Sequence, residues 1–473
     1  MDWIIHPLPA FRGTLRVPGD KSLSHRLALM CALARGRSRL LGFLDSEDCL
    51  HALDAMAAMG AGVRRHGTTV EVEGTGGTLQ TQAGDLDMGN SGTLTRLLAG
   101  LAAGFPVTVR LFGDASLQSR PMRRILEPLR RMGADAVAEG PGERAPLRIR
   151  GGTLDGIDFD SPVASAQVKS ALLLAGLRAR GTTRIREPAP SRDHTERLFR
   201  ALGLPITREG LQATLQGSGG RAPDLPAREW RIPGDPSSAA FWVAAAAANP
   251  GADLTVRGVG LNPTRTAYLD VLREMGAEIA FSPLREAEWE PQGDVAVRGS
   301  VLRGVEIGGA RIANLIDELP ILAVAAASAA GVTRIRDAAE LRVKESDRIE
   351  TVARMLRAVG VEIETFPDGM AIQGGLQGLL GGGAGGGPSA ASTTDANGRS
   401  SGEQSAESST GDRFNKSTQG FLGSFGGVGQ VRPLARVQVA QRGRGHDRGD
   451  DQHPDGAAQR QQLPTAEEVV DGV

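Results

Sequence analysis

The sequence predicts an α/β fold made of repeated β-α-β-α-β-β units. A pattern recurs at a period of roughly 70–80 residues: a strand-like run, a turn containing Gly or Ser, an Ala- and Leu-rich helix, and a second strand. Each copy continues with an amphipathic helix that ends at a glycine and leads into a β-hairpin. One such unit cannot bury both faces of its helices, so we expect the copies to pack together.

Length and composition narrow the class of protein. The chain has 473 residues, 40% of them hydrophobic, and a formal net charge of −1, so we expect two or three domains and no nucleic-acid or membrane-surface partner. No apolar run approaches the roughly 20 residues of a membrane span, and no secretory signal is visible. We therefore expect a cytoplasmic protein. Cys31 and Cys49 lie in apolar helical patterns and are predicted to pack in the core rather than form a disulfide or a zinc site.

The first copy carries the most distinctive polar stretch, Gly19–Arg26, with the sequence GDKSLSHR. It follows the strand-like run Thr14–Val17 and opens an apolar helix, Leu27–Ala34. Free N–H groups and the helix dipole favour an anion at such a helix start. Lys21 is one of only four lysines among 54 basic residues; the others are Lys169, Lys344 and Lys416. A lysine kept where Arg is the default cation favours ammonium chemistry at a site, the alternative being an exposed charge at a helix end.

Four further copies follow, and two of them repeat a polar turn before the helix. Their helical stretches are Gly89–Gly104, Ser165–Gly181, Pro233–Ala248 and Asn314–Gly331. The second turn contains Asn90, Ser91, Gly92 and Thr93, and the third contains Ser165 and Gln167. Each polar residue could serve only as a helix cap, but the repeated arrangement favours a shared anion site.

Two segments outside these turns add charged side chains. Arg120 precedes a proline predicted to start a helix, so that its guanidinium projects from a turn. Glu340–Arg348 places Lys344, Glu345 and Arg348 within two helical turns, where Glu345 could be a solvated partner of Arg348.

In the fifth copy Asp317 and Glu318 interrupt the apolar run Asn314–Ala330. They are either charges at a helix start or a base with a shifted pKa. The sequence shows no metal cluster, Ser/His/Asp pattern, Rossmann fingerprint or P-loop. The cations, hydroxyls and carboxylates found in these segments suit two anionic substrates and acid–base chemistry without a cofactor.

Seven motifs, found in the same order along the chain, closely resemble those of the 5-enolpyruvylshikimate-3-phosphate (EPSP) synthases. Their residues look like those of the class II branch of that family. The motifs are GDKSLSHR, GNSGTLTRLL, RPMRR, SAQVKSALLLAGL, SRDHTE, NLIDELP and RVKESDR. The resemblance implies a monomer of two inside-out α/β barrels with three units each. Domain A would be residues 19–231, and domain B would be residues 1–18 plus 232–375.

The resemblance also implies the reaction and the role of each residue. Phosphoenolpyruvate and shikimate 3-phosphate would give 5-enolpyruvylshikimate 3-phosphate and phosphate. Asp317 would be the base, Glu345 the proton donor, and Lys21 the third catalytic group. Shikimate 3-phosphate would contact Lys21, Ser22, Arg26, Ser165, Gln167, Asp317 and Lys344. Phosphoenolpyruvate would contact Lys21, Gly92, Arg120, Gln167 and Arg348.

Five units are visible where the resemblance implies six. From Leu376 onward the chain is rich in Gly, Ser, Gln and Arg and contains no Ile, Met, Trp or Tyr, which predicts disorder over 376–473. The family's sixth unit would open with an Asp-His-Arg turn and supply a further Arg and Lys. His446, Asp447 and Arg448 stand in the wrong order, and Lys416 lies in a Ser/Gln/Gly context. We therefore expect an incomplete site, and we interpret the abrupt change as a reading-frame shift.

Two other functions stay open at this point. UDP-N-acetylglucosamine enolpyruvyl transferases share the implied fold, but they carry a Lys-Asn pair and a reactive loop cysteine. Here Ser22 follows Lys21, and neither cysteine lies in the Arg120 loop. The second alternative is a non-catalytic anion-binding scaffold, which phosphate release from the two substrates would separate from an enzyme.

Overall fold

Five units follow one another along the described chain. The computed structural model describes residues 12–80, 82–283 and 289–375. The predictions for residues 376–473, including those for Lys416 and His446–Arg448, lie outside these ranges. The first unit contains β1 (Arg12–Arg16), α1 (Lys21–Leu33), β2 (Arg35–Leu41), α2 (Glu47–Ala58), β3 (Gly62–His66) and β4 (Thr69–Thr75). The second contains β5 (Gln82–Asp87), α3 (Gly92–Gly104), β6 (Thr108–Phe112), α4 (Ala115–Gln118), α5 (Arg123–Arg131), β7 (Asp135–Gly140) and β8 (Arg144–Arg150).

The other three units repeat this order. The third contains β9 (Asp158–Asp160), α6 (Ala166–Gly176), β10 (Thr182–Arg186), α7 (His194–Ala201), β11 (Ile206–Glu209) and β12 (Gln212–Gln216). The fourth contains β13 (Glu229–Arg231), α8 (Pro236–Ala247), β14 (Asp253–Gly260), α9 (Ala267–Glu274), β15 (Glu278–Pro283) and β16 (Gln292–Arg298). The fifth contains β17 (Glu306–Ile307), a 3-10 turn (Gly309–Asn314), α10 (Leu319–Ser328), β18 (Val332–Ile335), a second 3-10 turn (Ala339–Val343), α11 (Arg348–Ala358), β19 (Ile363–Phe366) and β20 (Gly369–Gln373).

The described strands form five four-stranded sheets with one shared topology. In the second unit the order is β5-β6-β8-β7, where β5 is parallel to β6 and the β7–β8 hairpin is antiparallel. A strand that is parallel to its neighbour needs a crossover, and in the second, third and fifth units the first helix supplies it. The predicted α/β class and the repeated unit are therefore confirmed.

Two strands are exchanged between the first and the fourth sheets. β1 pairs in parallel with β14, from Arg12 opposite Asp253 to Arg16 opposite Arg257. β13 takes the place beside β2, with Glu229 opposite Arg39. The repeat pattern, in which each copy begins with its own strand, therefore does not hold for the sheet pairing of the first copy, whose strand pairs in the fourth sheet. The chain crosses between the two sheets twice, and backbone hydrogen bonds join the crossings: Asp20 N–H to Pro233 O and Asp235 N–H to Pro18 O.

Glycine ends the second helix of each unit as predicted. The residues after these helices are Gly60, Gly133, Gly203, Gly276 and Gly360, with φ from 76° to 106°. A residue with a Cβ is strained in this left-handed region, so glycine is favoured at the point where the chain turns into the hairpin.

The described apolar residues form two separate hydrophobic cores. The first core runs from Leu23 to Ile232 and the second from Ala239 to Ile372, with Leu15 and Val17 of the β1 segment packed against the second. Cys31 and Cys49 are free thiols buried in the first core, which confirms their predicted packing role. Within the described ranges, no helix is long and apolar enough to cross a bilayer.

The two cores differ in how completely they cover their central helices. In the first core, α1, α3 and α6 are buried almost throughout beyond their first turns. In the second core, Trp242 on α8 is 39% exposed, and Ile321 and Val324 on α10 are only partly buried. Of the eight large apolar side chains that are exposed within the described residues, seven lie beyond residue 232: Trp242, Phe281, Val301, Val332, Val343, Met355 and Val359. The second core therefore leaves apolar surface that the first does not.

Candidate active site

The start of α1 carries the first group of predicted site residues. The side chain of Asp20 accepts a hydrogen bond from Leu23 N at 2.8 Å, and this cap starts the helix at Lys21 rather than at the predicted Leu27. Lys21 Nζ lies 3.2 Å from Asp48 Oδ2. Burial alone would lower the pKa of Lys21, but the Asp48 carboxylate more than offsets it, and the pKa is raised. Lys21 is therefore a cation at the helix end.

Arg26 lies one turn further along α1 and is almost fully buried. Its guanidinium donates to Thr195 Oγ1 and Ser170 Oγ, both at 2.8 Å, and to Ser22 O at 3.0 Å. Burial lowers its pKa to about 10, while the nearby Glu196 favours the charged form. Arg26 therefore stays protonated at neutral pH and is held in one orientation by groups from three helices.

The side chain of Gln167 joins the polar turns that precede α3 and α6. Ser91 caps α3 and Ser165 caps α6 through bonds from Leu94 N and Val168 N, so both serve as helix caps. The Gln167 amide donates to Thr93 Oγ1 at 2.9 Å and accepts from Arg96 at 2.7 Å. These bonds place the starts of α3 and α6 beside each other.

Arg120 adds a cation to this pair of turns. It lies between α4 and α5, three residues before the helix, because α5 begins at Arg123 rather than at the predicted Pro121. Its side chain is 7% exposed and bonds to Asn90 Oδ1 and to Ser116 Oγ. A Cβ added to Gly92 would lie 2.9 Å from a guanidinium nitrogen of Arg120 and equally close to one of Arg96. Gly92 therefore leaves the space that these two cations occupy.

Glu345 connects Arg120 to the fifth unit. Its carboxylate lies 3.4 Å from Arg120 and 2.5 Å from Arg348. The predicted helix through this segment is wrong: the 3-10 turn ends at Val343 and α11 begins at Arg348, so Lys344 and Glu345 lie on the connection. Burial would raise the pKa of Glu345, but Arg348 and Arg120 outweigh it and lower the pKa to about 2. Glu345 is an ionised carboxylate in the free protein.

Asp317 lies in the turn before α10 and meets two cations. Arg192 donates to it at 2.6 Å, and Lys344 Nζ lies 3.6 Å away. Burial works against its charge, but Lys344 and Arg192 hold the pKa of Asp317 well below its usual range. Asp317 therefore precedes a helix and has a lowered pKa, and its role as a base stays a prediction.

Sequence reasoning assigned no role to Arg192 or to Arg96. Arg192 stands in the SRDHTE motif, in a Pro- and Ser-containing turn just before α7. An arginine in the turn before a helix is the same signal that singled out Arg120, and applied evenly it would have found Arg192. Arg96 lies within α3, among apolar residues of the sequence. Its role depends on contacts with other segments of the chain, and the periodicity of apolar residues does not reveal such contacts.

The structure thus gathers most of the predicted residues into connected polar groups. Arg120, Glu345 and Arg348 form one group and Arg192, Asp317 and Lys344 another, and each spans both cores. Ser22 takes part through its backbone carbonyl, which accepts a hydrogen bond from Arg26. Among the described residues, no group of three or more His, Cys, Asp or Glu side chains is arranged to hold a metal ion. A concentration of guanidinium and ammonium groups with few carboxylates suits phosphorylated and carboxylated ligands.

Comparisons with known proteins agree with one another. A sequence model of the family described as EPSP synthase (3-phosphoshikimate 1-carboxyvinyltransferase) matches residues 5–384. The 3-phosphoshikimate 1-carboxyvinyltransferase of Geobacter sulfurreducens is 50% identical over 370 residues, 78% of this chain and 85% of that protein. The same enzyme of Alkalilimnicola ehrlichii is 50% identical over 377 residues, 79% of this chain and 83% of that protein.

A solved structure gives the same result. The EPSP synthase of Acinetobacter baumannii superposes with a TM-score of 0.69 and 43% identity, covering 78% of this chain and 83% of that one. All seven motifs lie inside the range matched by the family model. The resemblance drawn from them is confirmed: the chain belongs to the EPSP synthase (3-phosphoshikimate 1-carboxyvinyltransferase) family.

Proposed function

We propose that this chain carries the family's reaction, the transfer of the carboxyvinyl group of phosphoenolpyruvate to the 5-hydroxyl of shikimate 3-phosphate with release of phosphate. The observation that carries the proposal is the pair of polar groups that span both cores, one around Glu345 and one around Asp317. Each brings a carboxylate from the fifth unit against cations from the first core. Two anionic substrates bound between the cores would meet cations from both sides.

Shikimate 3-phosphate would be held mainly by the first core. Lys21, Ser22 and Arg26 at α1 and Ser165 and Gln167 at α6 are the proposed contacts for its phosphate and hydroxyls. Asp317 would accept the proton of the attacking hydroxyl. Its lowered pKa keeps it ionised at neutral pH, which a general base requires.

Phosphoenolpyruvate would bind at Gly92, Arg120 and Arg348 and thereby change Glu345. In the free protein Glu345 has a pKa of about 2, held there largely by Arg348 and Arg120. The substrate's carboxylate and phosphate would compete for these cations, so the pKa of Glu345 would rise on binding. Substrate binding itself would then prepare Glu345 to carry a proton.

The proposed chemistry is an addition followed by an elimination. The hydroxyl oxygen bonds to the central carbon of phosphoenolpyruvate while Asp317 takes its proton and the methylene carbon receives a proton from Glu345. The resulting methyl group then returns one proton to Glu345, the bond from the central carbon to the phosphate oxygen breaks, and phosphate leaves with the proton that Asp317 had taken. Exclusion of water protects the tetrahedral intermediate between these steps.

We propose the domain bounds 19–231 and 1–18 plus 232–375, with a sixth unit missing from the second domain. The two separate cores support this division. The Geobacter relative is matched over 85% of its length, which leaves about one of six units unmatched. A third central helix in the missing unit would cover the exposed Trp242 of α8 and the partly buried Ile321 and Val324 of α10. We also propose a cytoplasmic monomer, from the sequence.

The test is phosphate release from the two substrates. The chain itself and a hybrid chain, in which residues 376–473 are replaced by the corresponding part of the Geobacter relative, are compared under the same conditions. We expect low turnover from the chain itself and strong turnover from the hybrid, because the missing unit supplies further cations for phosphoenolpyruvate. A folded hybrid without turnover would contradict the proposed function, and equal turnover would contradict the missing unit.

Within the hybrid, Asp317→Ala and Glu345→Gln should each reduce turnover by roughly 10²-fold or more, as the loss of acid–base groups does. Arg37→Gln is a matched control, because Arg37 makes its ion pairs with Glu71 and Glu73 on an exposed face of the first sheet. Near-normal turnover in either carboxylate variant would remove that residue from the mechanism.

A further inference from the structure

A set of buried charges lies directly behind two of the proposed substrate contacts. Lys169 on α6 is 2% exposed, and its ammonium lies 2.7 Å from Glu187 Oε2 and 2.9 Å from Glu196 Oε1. The two carboxylates are 3% and 1% exposed. Charges buried this deeply need partners, because each ion loses its favourable interactions with water. None of the roles described above accounts for Lys169.

One hydrogen bond connects this set of buried charges to the turn before α6. While Glu187 Oε2 faces Lys169, its other oxygen, Oε1, accepts the backbone N–H of Ser165 at 3.0 Å. Ser165 is the residue proposed to contact the phosphorylated substrate. Lys169 therefore fixes the carboxylate that fixes the backbone of this turn.

A second link leads to Arg26. Ser170 follows Lys169 on α6, and Thr195 precedes Glu196 on α7. The two helices are therefore joined by an ion pair and, beside it, by a pair of hydroxyls. The hydroxyls of Ser170 and Thr195 lie 2.7 Å apart, and each accepts a bond from the Arg26 guanidinium at 2.8 Å. The position of Arg26 thus depends on the same two helices that Lys169 holds together.

The charges of this cluster are balanced. Lys169 and Arg26 are positive, and Glu187 and Glu196 are negative. Glu196 already acts on Arg26. Without Lys169 the charge of Glu196 would be less compensated, and its attraction for Arg26 would compete with that of a bound phosphate.

We propose that Lys169 is a positioning residue for the phosphorylated substrate: by neutralising Glu187 and Glu196, it holds the Ser165 turn in place and leaves Arg26 free to bind phosphate. The identity of the substrate rests on the proposed function. Lys169 itself does not touch the substrate.

Calorimetric titration of the full chain with shikimate 3-phosphate tests the charge balance. Lys169→Met keeps the length of the side chain and removes its charge, and we expect it to weaken binding by about tenfold or more. Lys169→Met with Glu196→Gln restores neutrality, and we expect it to recover most of that loss. A purely structural lysine would give the opposite order, since the double variant removes one more buried partner. Binding by Lys169→Met within twofold of the parent, or a double variant no tighter than the single, overturns the proposal.

Hydrogen exchange without any ligand tests the positioning separately. The Ser165 amide should exchange about tenfold faster or more in Lys169→Met than in the parent, because its acceptor loses its anchor. Amides of the β7–β8 hairpin, in another sheet, should not change. Unchanged Ser165 exchange overturns the proposal whatever the titration gives. A parent chain that binds no shikimate 3-phosphate would instead count against the proposed function.

Discussion

Asp317 and Glu318 are adjacent carboxylates whose pKa values are shifted in opposite directions. Asp317 faces Lys344 and Arg192, which hold its pKa well below the usual range. Glu318 is 1% exposed and accepts a hydrogen bond from Ser237 Oγ. Burial raises its pKa to about 7, although Arg192 and Arg265 act the other way. One step along the chain therefore separates a carboxylate with a lowered pKa from one with a raised pKa.

Glu318→Gln should change how stability depends on pH. The pKa of Glu318 is about 7 in the folded protein against 4.5 for an ordinary Glu. Its favourable contribution is therefore full below pH 4.5 and is lost as the pH rises through 7, by up to about 3 kcal/mol. Gln keeps the shape without this titration. Urea unfolding of both proteins from pH 5 to 8 should show the parent losing stability relative to the variant, and a constant difference across that range would contradict the assignment.

Gly92→Ala should weaken inhibition by glyphosate, an anion that resembles phosphoenolpyruvate. The added methyl group would lie 2.9 Å from guanidinium nitrogens of Arg120 and Arg96, closer than Cβ contacts allow, so these cations must move. In the active hybrid chain, the inhibition constant for glyphosate should rise more than the affinity for shikimate 3-phosphate falls. Superimposable inhibition curves would contradict this.

At the scale of elements, the sequence predicted the units well because their signals are local. Periodic apolar positions, caps such as Asp20 and Ser165, and the glycine after each second helix all act within a few residues. The repeat pattern did not show the pairing of β13, because β13 has three residues and its partner β2 lies about 190 residues earlier. The break at Lys344 was missed although its signal is local, since the side chain of Asp347 caps α11 by accepting from Glu350 N. The Lys169 cluster was missed because its ion pairs join α6 to residues on later segments of the chain.

The packing of α3 on α6 gives a prediction at this scale. A Cβ on Gly100 would lie 2.1 Å from Ala171 O, which is backbone and cannot move without shifting a helix. Ala favours a helix by about 1 kcal/mol over Gly, but overpacking costs about 1–3 kcal/mol or more. Gly100→Ala should therefore lower the free energy of unfolding.

Gly152→Ala is the matched control for Gly100→Ala, because its Cβ would meet nothing within 4 Å. Urea unfolding should leave this control within about 0.5 kcal/mol of the parent. A Gly100→Ala protein as stable as the control would show that the two helices can separate at little cost.

At the scale of the whole molecule, the apolar surface that the second core leaves exposed can be detected in solution. Exposed apolar patches bind hydrophobic dyes and promote association. The chain itself should therefore bind an anilinonaphthalene dye strongly, while the hybrid chain with a sixth unit should bind little. Trp242 should also lose access to acrylamide in the hybrid, measured against Trp242→Phe in each background. Equal dye binding and quenching in the two chains would mean that α8 and α10 are covered in both.

The exchange of β1 and β13 also sets an order of events during synthesis. β1 leaves the ribosome first, but its partner β14 follows about 240 residues later, which is roughly 10–50 s at ordinary rates of translation. β13 is complete before β14, so the first core has all of its strands while β1 still waits with unpaired edges. The exposed Arg12 and Arg16 on β1 discourage wrong pairing during that interval, as charges on edge strands do. Pausing of the ribosome between residues 231 and 253 would therefore prolong the stage at which this topology is most open to pairing with another nascent chain.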